Sequence, residues 1–172
     1  MRRSFADRLK GAALLDIAVY EEVEADRDAT GQAALVVGLV AVATAIGGIR
    51  DGATGILGGL ISAYAGWLVW SGVTYLVGSW LGGTATWGEL LRTVGFAHAP
   101  GLLRIFGVIP ILGVVVRVAV GIWMLIAVIV AIRQALDFST EKAILTAVIG
   151  FALLMAVQVL LWLLLFPVRV FF

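Results

Sequence analysis

From Gln32 onward the chain consists of long apolar runs separated by short polar or glycine-rich breaks, a pattern that predicts membrane-spanning helices. Five runs can be drawn, at about 32–49, 54–81, 87–108, 111–132 and 142–166. Each approaches or exceeds the ~20 residues a helix needs to cross a hydrocarbon core of about 30 Å. Arg50-Asp51-Gly52 makes the first turn, and Gly82 to Thr86 forms a small-residue loop with Thr86 placed to cap the next helix. Pro110 and Gly113 make a tight reversal, Ser139 is placed to cap the last span, and Pro167 stops it. The third run is weakened as a straight helix by Gly95, Pro100 and Gly101, so a kink or unwound turn is expected between Phe96 and Gly101.

Before the first run, Phe5, Leu9, Ala12 and Ala13 recur at helical spacing beside Arg8 and Lys10. This predicts a short amphipathic helix, lying either in the membrane interface or against the protein's own cytoplasmic side. Asp16 can cap a second helix, whose Glu21, Glu22, Glu24, Asp26 and Asp28 make an acidic run offset locally only by Arg27 and expected to be a solvated face. Asp7, Lys10 and Asp16 interrupt the apolar stretch a secretory signal would need, so the segment is expected to be retained. The domain division is thus 1–30, a cytoplasmic helical region, and 31–172, a transmembrane domain. The fold expected is all-α, a polytopic membrane helical bundle of about five transmembrane helices. Small residues on the second run (Gly55, Gly59 and Ala63; Ser62 and Gly66; Gly78 and Gly82) read as helix-packing ladders within one subunit.

Composition strengthens the membrane assignment: 62% of the 172 residues are hydrophobic and the mean hydropathy is +1.10. A formal charge of +1 gives no basic face for nucleic acid. Zero cysteines and one histidine exclude thiolate chemistry, disulfides and histidine-rich metal clusters, and no metal or cofactor is expected. With the N-terminus inside, the cytoplasmic flanks collect Arg2, Arg3, Arg8, Lys10, Arg27, Arg92, Arg133 and Lys142, while Arg50, Arg104 and Arg169 fall outside. The positive-inside rule therefore favours a cytoplasmic N-terminus in a multi-pass cell (inner or plasma) membrane protein. A re-entrant third and fourth run would instead put the C-terminus inside.

Chemistry concentrates in the third run, which carries Glu89, Arg92, His98 and Arg104 at membrane depth, where ionisable groups usually face protein or water. Glu89 and Arg92, three residues apart on a helix, are expected to pair with each other. His98 is expected to be a hydrogen-bonded packing residue, and Arg104 either snorkels or donates to carbonyls freed around Pro100. Arg117, early in the fourth run, is also expected to snorkel. Catalysis finds little support. Between Thr30 and Ala135 the only carboxylates are Asp51 and Glu89, on opposite faces of the membrane in the five-pass topology. Glu89 and His98 would point to opposite sides of a regular helix, and neither a Gly-x-Ser-x-Gly pattern nor a phosphate loop is present. If the four polar residues line a cavity, a solute or lipid transporter becomes the alternative, working as an oligomer.

The stretch Gly95-Phe96-Ala97-His98-Ala99-Pro100-Gly101-Leu102-Leu103 resembles the Gly-Tyr-(Gly/Ala)-x-x-Pro-x-Leu-Leu signature of the Yip1 family. Gly82-Gly83 with Glu89-Leu90-Leu91-Arg92 is similar to its bacterial branch, and the likeness continues through Ile109-Pro110-Ile111-Leu112-Gly113 and Ser139 to Ala143. The resemblance implies a bundle of about five helices with a cytoplasmic N-terminal region, and a non-enzymatic membrane-organising or partner-binding role. Eukaryotic members work in vesicle traffic with Rab-type GTPases through an Asp-Leu-Tyr-Gly-Pro motif. That region here reads Asp16-Ile17-Ala18-Val19-Tyr20-Glu21, so GTPase binding does not carry over. Gly95, Phe96, Pro100 and Leu103 carry over a fold element and no chemistry. The partners expected are membrane lipids, with a second copy of the chain or another protein as further candidates.

Overall fold

The computed structural model describes residues 2–49 and 56–165. The turn at Arg50-Asp51-Gly52, the start of the second run at 54 and 55, and Pro167 with Arg169 lie outside the described residues. The described residues form helices joined by short turns and loops and contain no strand. Two short helices, α1 (Phe5–Ala13) and α2 (Ile17–Ala25), precede α3 (Ala29–Gly47), α4 (Ile56–Trp80), α5 (Trp87–Ala97), a 3-10 helix (Ala99–Val108), α6 (Leu112–Ala135) and α7 (Thr140–Leu165). The capping residues read from the sequence hold the starts of three helices. Asp16 accepts from the Ala18 amide at 3.0 Å, Thr86 from Glu89 at 3.3 Å, and Ser139 from Lys142 at 3.4 Å.

Among the described residues four helices, α3, α4, α6 and α7, are long and apolar enough to cross a membrane. Large apolar side chains stand exposed along them, such as Ile61, Leu125, Phe151 and Leu160, as expected where the surrounding solvent is lipid. Trp80 and Trp87, read as interfacial, are 75% and 47% exposed around the α4–α5 loop.

The third expected span is not one helix. α5 stops at Ala97, and ten residues of 3-10 helix replace the α-helix that the pattern predicts up to Val108. Pro100 supplies no amide and Gly101 bonds back to the His98 carbonyl at 2.7 Å, which tightens the turn from four residues to three. At 1.5 and about 2.0 Å rise per residue the two pieces span about 16 and 20 Å, together enough to match α3. They run beside it along its length. Gly95 lies against Ala33, Gly101 against Val40, and Gly107 and the Arg104 carbonyl against Gly47. A Cβ at Gly47 would collide with that carbonyl, so glycine is what admits this close approach.

The result is a bundle with two distinct ends. At the cap end sit α1, α2 and the α4–α5 and α6–α7 turns, where Gly78 and Gly83 pack on Leu136. At the far end Gly47, Gly107 and Gly113 meet, beside the reversal at Pro110, where the Gly113 amide bonds to the Ile109 carbonyl at 2.8 Å. The core is weighted toward the cap end. Ala12, Val19, Tyr20 and Val23 of the two short helices share one buried cluster with Val36, Val94, Phe96, Ile132 and Leu136.

Of the two placements open for α1, the structure takes the one against the protein itself. Arg8 and Ala12 are buried, the Phe5 ring lies 6.5 Å from that of Phe96, and Trp123 of α6 donates to the Ala13 carbonyl at 2.8 Å.

Candidate functional site

The polar residues of α5 serve its own start and the cap. Thr86 and Glu89 form a reciprocal capping box, with the Glu89 carboxylate accepting from the Thr86 amide at 2.7 Å. The expected Glu89–Arg92 pair is not formed. One turn further on, buried Arg92 donates through Nε to the carbonyls of Val23 at 3.0 Å and Glu24 at 2.9 Å, and through Nη2 to Glu24 as well. These carbonyls belong to the last turn of α2, which no intrahelical amide satisfies. Capping competes successfully for the carboxylate, and unsatisfied carbonyls for the guanidinium.

The acidic run on α2 is likewise not a plain solvated face. Arg8 of α1 is 1% exposed and donates to Glu22 at 2.8 Å, Asp26 at 2.7 Å and Gln32 at 3.1 Å. Arg3 adds a bond to Glu22 at 3.0 Å, and Arg2 one to Asp28 at 3.2 Å. Burial works against charge on Arg8, but its bonds to Asp26 and Glu22 outweigh it and raise its pKa. For Glu22, desolvation is likewise overcome, here by bonds from Arg8 and Arg3, which hold its carboxyl below the usual range. Asp26 is lowered chiefly by its bond from Arg8. Glu24 goes the other way, pushed up to about 7 by desolvation and then by the charges of Asp137 and Glu89. In the sequence Arg8 falls on the polar side of an amphipathic helix, which gives no sign of its burial.

At the break, His98 caps α5 and its Nδ1 lies 2.8 Å from the Val94 carbonyl, the hydrogen-bonded packing role expected of it. The same residue borders a cavity of about 360 Å³ between α3, α4, α6 and the 3-10 helix, shared with Thr44, Ser62, Trp67 and Arg104. Arg104 also lines a second cavity of about 300 Å³ at the far end, with Thr44, Gly47, Gly107 and Arg117. Neither expected role of Arg104 accounts for its Nε, which is buried without a hydrogen-bond partner and so receives no freed carbonyl near Pro100. Glu89 and Arg92 thus lie at the cap end, His98 at the break and Arg104 beyond it, so the four do not converge on one site.

The motif residues sit where the chain changes direction or packs tightly. Gly82 takes φ +87° at the end of α4, where an ordinary side chain is disfavoured. Gly83 packs on Leu136 and Phe138. Phe96 is fully buried, Pro100 opens the 3-10 helix, and Leu103 lines an apolar cleft under α1 with Leu9 and Trp123. On α4 Gly78 keeps the packing reading, against Leu136, while Gly59 and Gly66 depart from it. An added Cβ at Gly59 or Gly66 would meet nothing within 4 Å, and both border the larger cavity. Among the described residues no group of three His, Cys, Asp or Glu side chains is placed to hold a metal.

No curated protein and no solved structure matches the chain. The Yip1 domain model matches residues 17–163, from the start of α2 into the last turns of α7. With that match covering most of the chain and four helices fit to cross a membrane, this multi-pass membrane protein belongs to the Yip1 family.

Proposed function

We propose that the protein is a non-enzymatic, membrane-organising component that binds partners through a helical cap fixed to a five-pass bundle. One observation carries this reading: Arg8 and Arg92 lock α1 and α2 onto the bundle through hydrogen bonds to Glu22, Asp26, Val23 and Glu24. A cap held this way presents a defined surface, with Asp7, Glu21, Arg27 and Asp28 exposed on it. Side chains that could have served catalysis are committed elsewhere, Glu89 to its capping box and His98 to the Val94 carbonyl.

In this reading α5 and the 3-10 helix together make the third pass, and the cap end faces the cytoplasm of the cell membrane, following the basic residues gathered there. The chain has no cysteine, so single cysteines introduced at Ser4 and Ser139 will report sidedness directly. Both should be labelled only from the cytoplasmic side, and labelling on opposite sides would refute the topology. The binding role is tested by crosslinking in cells, where Glu21→Lys should lower partner recovery without altering solute flux in liposomes.

A second reading, solute or lipid transport, is favoured by the cavity at Arg104 beside the broken pass. It requires that purified protein alone support flux, and that Arg104→Ala abolish it without unfolding the chain.

A further inference from the structure

The two short helices reach further down the bundle than a surface cap needs to. Gln134 of α6 donates to the Glu21 carboxylate of α2 at 3.2 Å, whereas the Trp123 indole donates to the Ala13 carbonyl at the end of α1 at 2.8 Å. Residues 134 and 123 are three turns apart on α6, about 16 Å at 1.5 Å per residue, and Trp123 lies near the middle of that helix. The turn joining α1 to α2 is therefore level with Ile122 and Ile126, which α6 leaves exposed. On a helix fit to span a membrane, lipid surrounds such side chains.

The turn itself presents apolar side chains to the same medium. The Leu15 amide bonds to the Ala12 carbonyl at 3.1 Å and the Asp16 amide to the Gly11 carbonyl at 2.9 Å, a helix ending usually closed by glycine. Here Leu15 takes the left-handed φ of +62° and packs against the core. Leu14 is turned outward, 63% exposed, and Ile17, three residues on, is exposed as well. Leu14 also borders the cleft of about 400 Å³ under α1, with Leu9, Pro100, Leu102, Leu103 and Trp123. Lys10 is the charged residue on that apolar lining.

The acidic residues nearest Lys10 in the chain are engaged elsewhere. Asp7 accepts from the Ser4 hydroxyl at 2.6 Å, and Asp16 accepts from the Ala18 amide at 3.0 Å and lies 3.9 Å from Arg3. The salt bridges of this region run from Arg2, Arg3 and Arg8 to Asp16, Glu22, Asp26 and Asp28, and among the described residues Lys10 joins none of them. An ammonium offers three donors, on a stem that lies along apolar surface and lifts the charge toward the headgroups. An apolar cleft at membrane depth with a cation on its lining matches a lipid that carries a negative head.

We propose that the α1–α2 turn is inserted in one leaflet, and that the cleft under α1 takes an acyl chain of an anionic phospholipid whose phosphate meets Lys10. The inference goes beyond the partner-binding reading and holds whichever side of the membrane the cap faces.

Two measurements on the full chain test it. Because the chain has no cysteine, Leu14→Cys and Arg27→Cys can each carry one environment-sensitive dye in liposomes of brominated-chain lipids. The dye at 14 is expected to be quenched and the dye at 27 to remain bright; quenching that fails to favour position 14 would overturn the insertion. Native mass spectrometry in a delipidating detergent then counts retained phosphatidylglycerol and phosphatidylcholine. Phosphatidylglycerol should be retained preferentially, and Lys10→Gln should weaken its retention about fivefold, the share of one lysine at an anionic leaflet, while melting like the wild type without lipid. Ala6→Phe, an exposed position on the cleft, fills the space, leaves Lys10 in place and should weaken retention too. Undiminished binding by either variant, or equal retention of phosphatidylcholine, would overturn the proposal. A dimer that persists in the spectra and is lost in Ala6→Phe would put a second copy in the cleft and overturn it as well.

Discussion

The two ends of the bundle treat arginine in opposite ways. At the cap end Arg8 and Arg92 are surrounded by acceptors: carboxylates and an amide oxygen for the first, helix-terminal carbonyls for the second. Beyond the break, Arg104 has a buried Nε with no acceptor and two cavities beside it. A buried cation bonded to several protein acceptors is part of the fold, because removing it strands those partners. A buried donor left without an acceptor is instead a cost to the fold. The same residue type thus ties the fold together at one end and leaves an Nε donor unmet at the other.

The largest effect should come from removing a satisfied arginine. Arg8→Met leaves Glu22 and Asp26 facing each other without their shared cation, and should cost about 3 kcal/mol. It should appear as a lower melting temperature and as early proteolysis within residues 2–25. Arg92→Met removes the donors that close the end of α2 and should cost about 1 to 3 kcal/mol by the same measurements, freeing the cap while leaving α4, α6 and α7 folded.

Glu24 offers a smaller effect with a sign of its own. Its carboxyl sits at about 7 in the folded protein against an ordinary value of 4.5. Between those values the folded chain keeps a proton that the unfolded chain has lost. Its stabilising share is full below pH 4.5 and disappears as pH rises through 7. Glu22 and Asp26, both lowered, act in reverse and lose their contribution as pH falls through the acid range. Glu24→Gln should therefore raise stability at pH 8 by on the order of 1 kcal/mol after solvent screening, with the gain vanishing below pH 4.5 in a melting series. A gain that is constant across pH would remove Glu24 from the account. The smallest effect is expected at Arg104, where replacement by Met in lipid-free detergent should be neutral to within about 0.5 kcal/mol or stabilising.

Local chemistry made much of the architecture legible. Asp16, Thr86 and Ser139 cap because their side-chain oxygens reach amides only two or three residues ahead. The break beside Pro100 and the reversal at Pro110 follow from a missing amide and a fixed φ. Pairing over distance was not legible in the same way. Arg92 meets Val23 across 69 residues of chain, and Arg8 meets Asp26 across 18, so the nearer Glu89 looked like the better partner for the first and solvent for the second. Spacing also could not separate glycines that admit a neighbour, as Gly47 and Gly95 do, from Gly59 and Gly66, which border open space. Nor could it foresee that the segment after Pro100 would continue as a 3-10 helix, since that depends on how closely α3 approaches it.

The most direct test is a paired thermal melt of Arg8→Met and Arg104→Met in one lipid-free detergent at pH 7. The contrast between the ends predicts a fall of many degrees for the first and an unchanged or higher Tm for the second. Equal losses would show that Arg104 is as much a part of the fold as Arg8, and would contradict it.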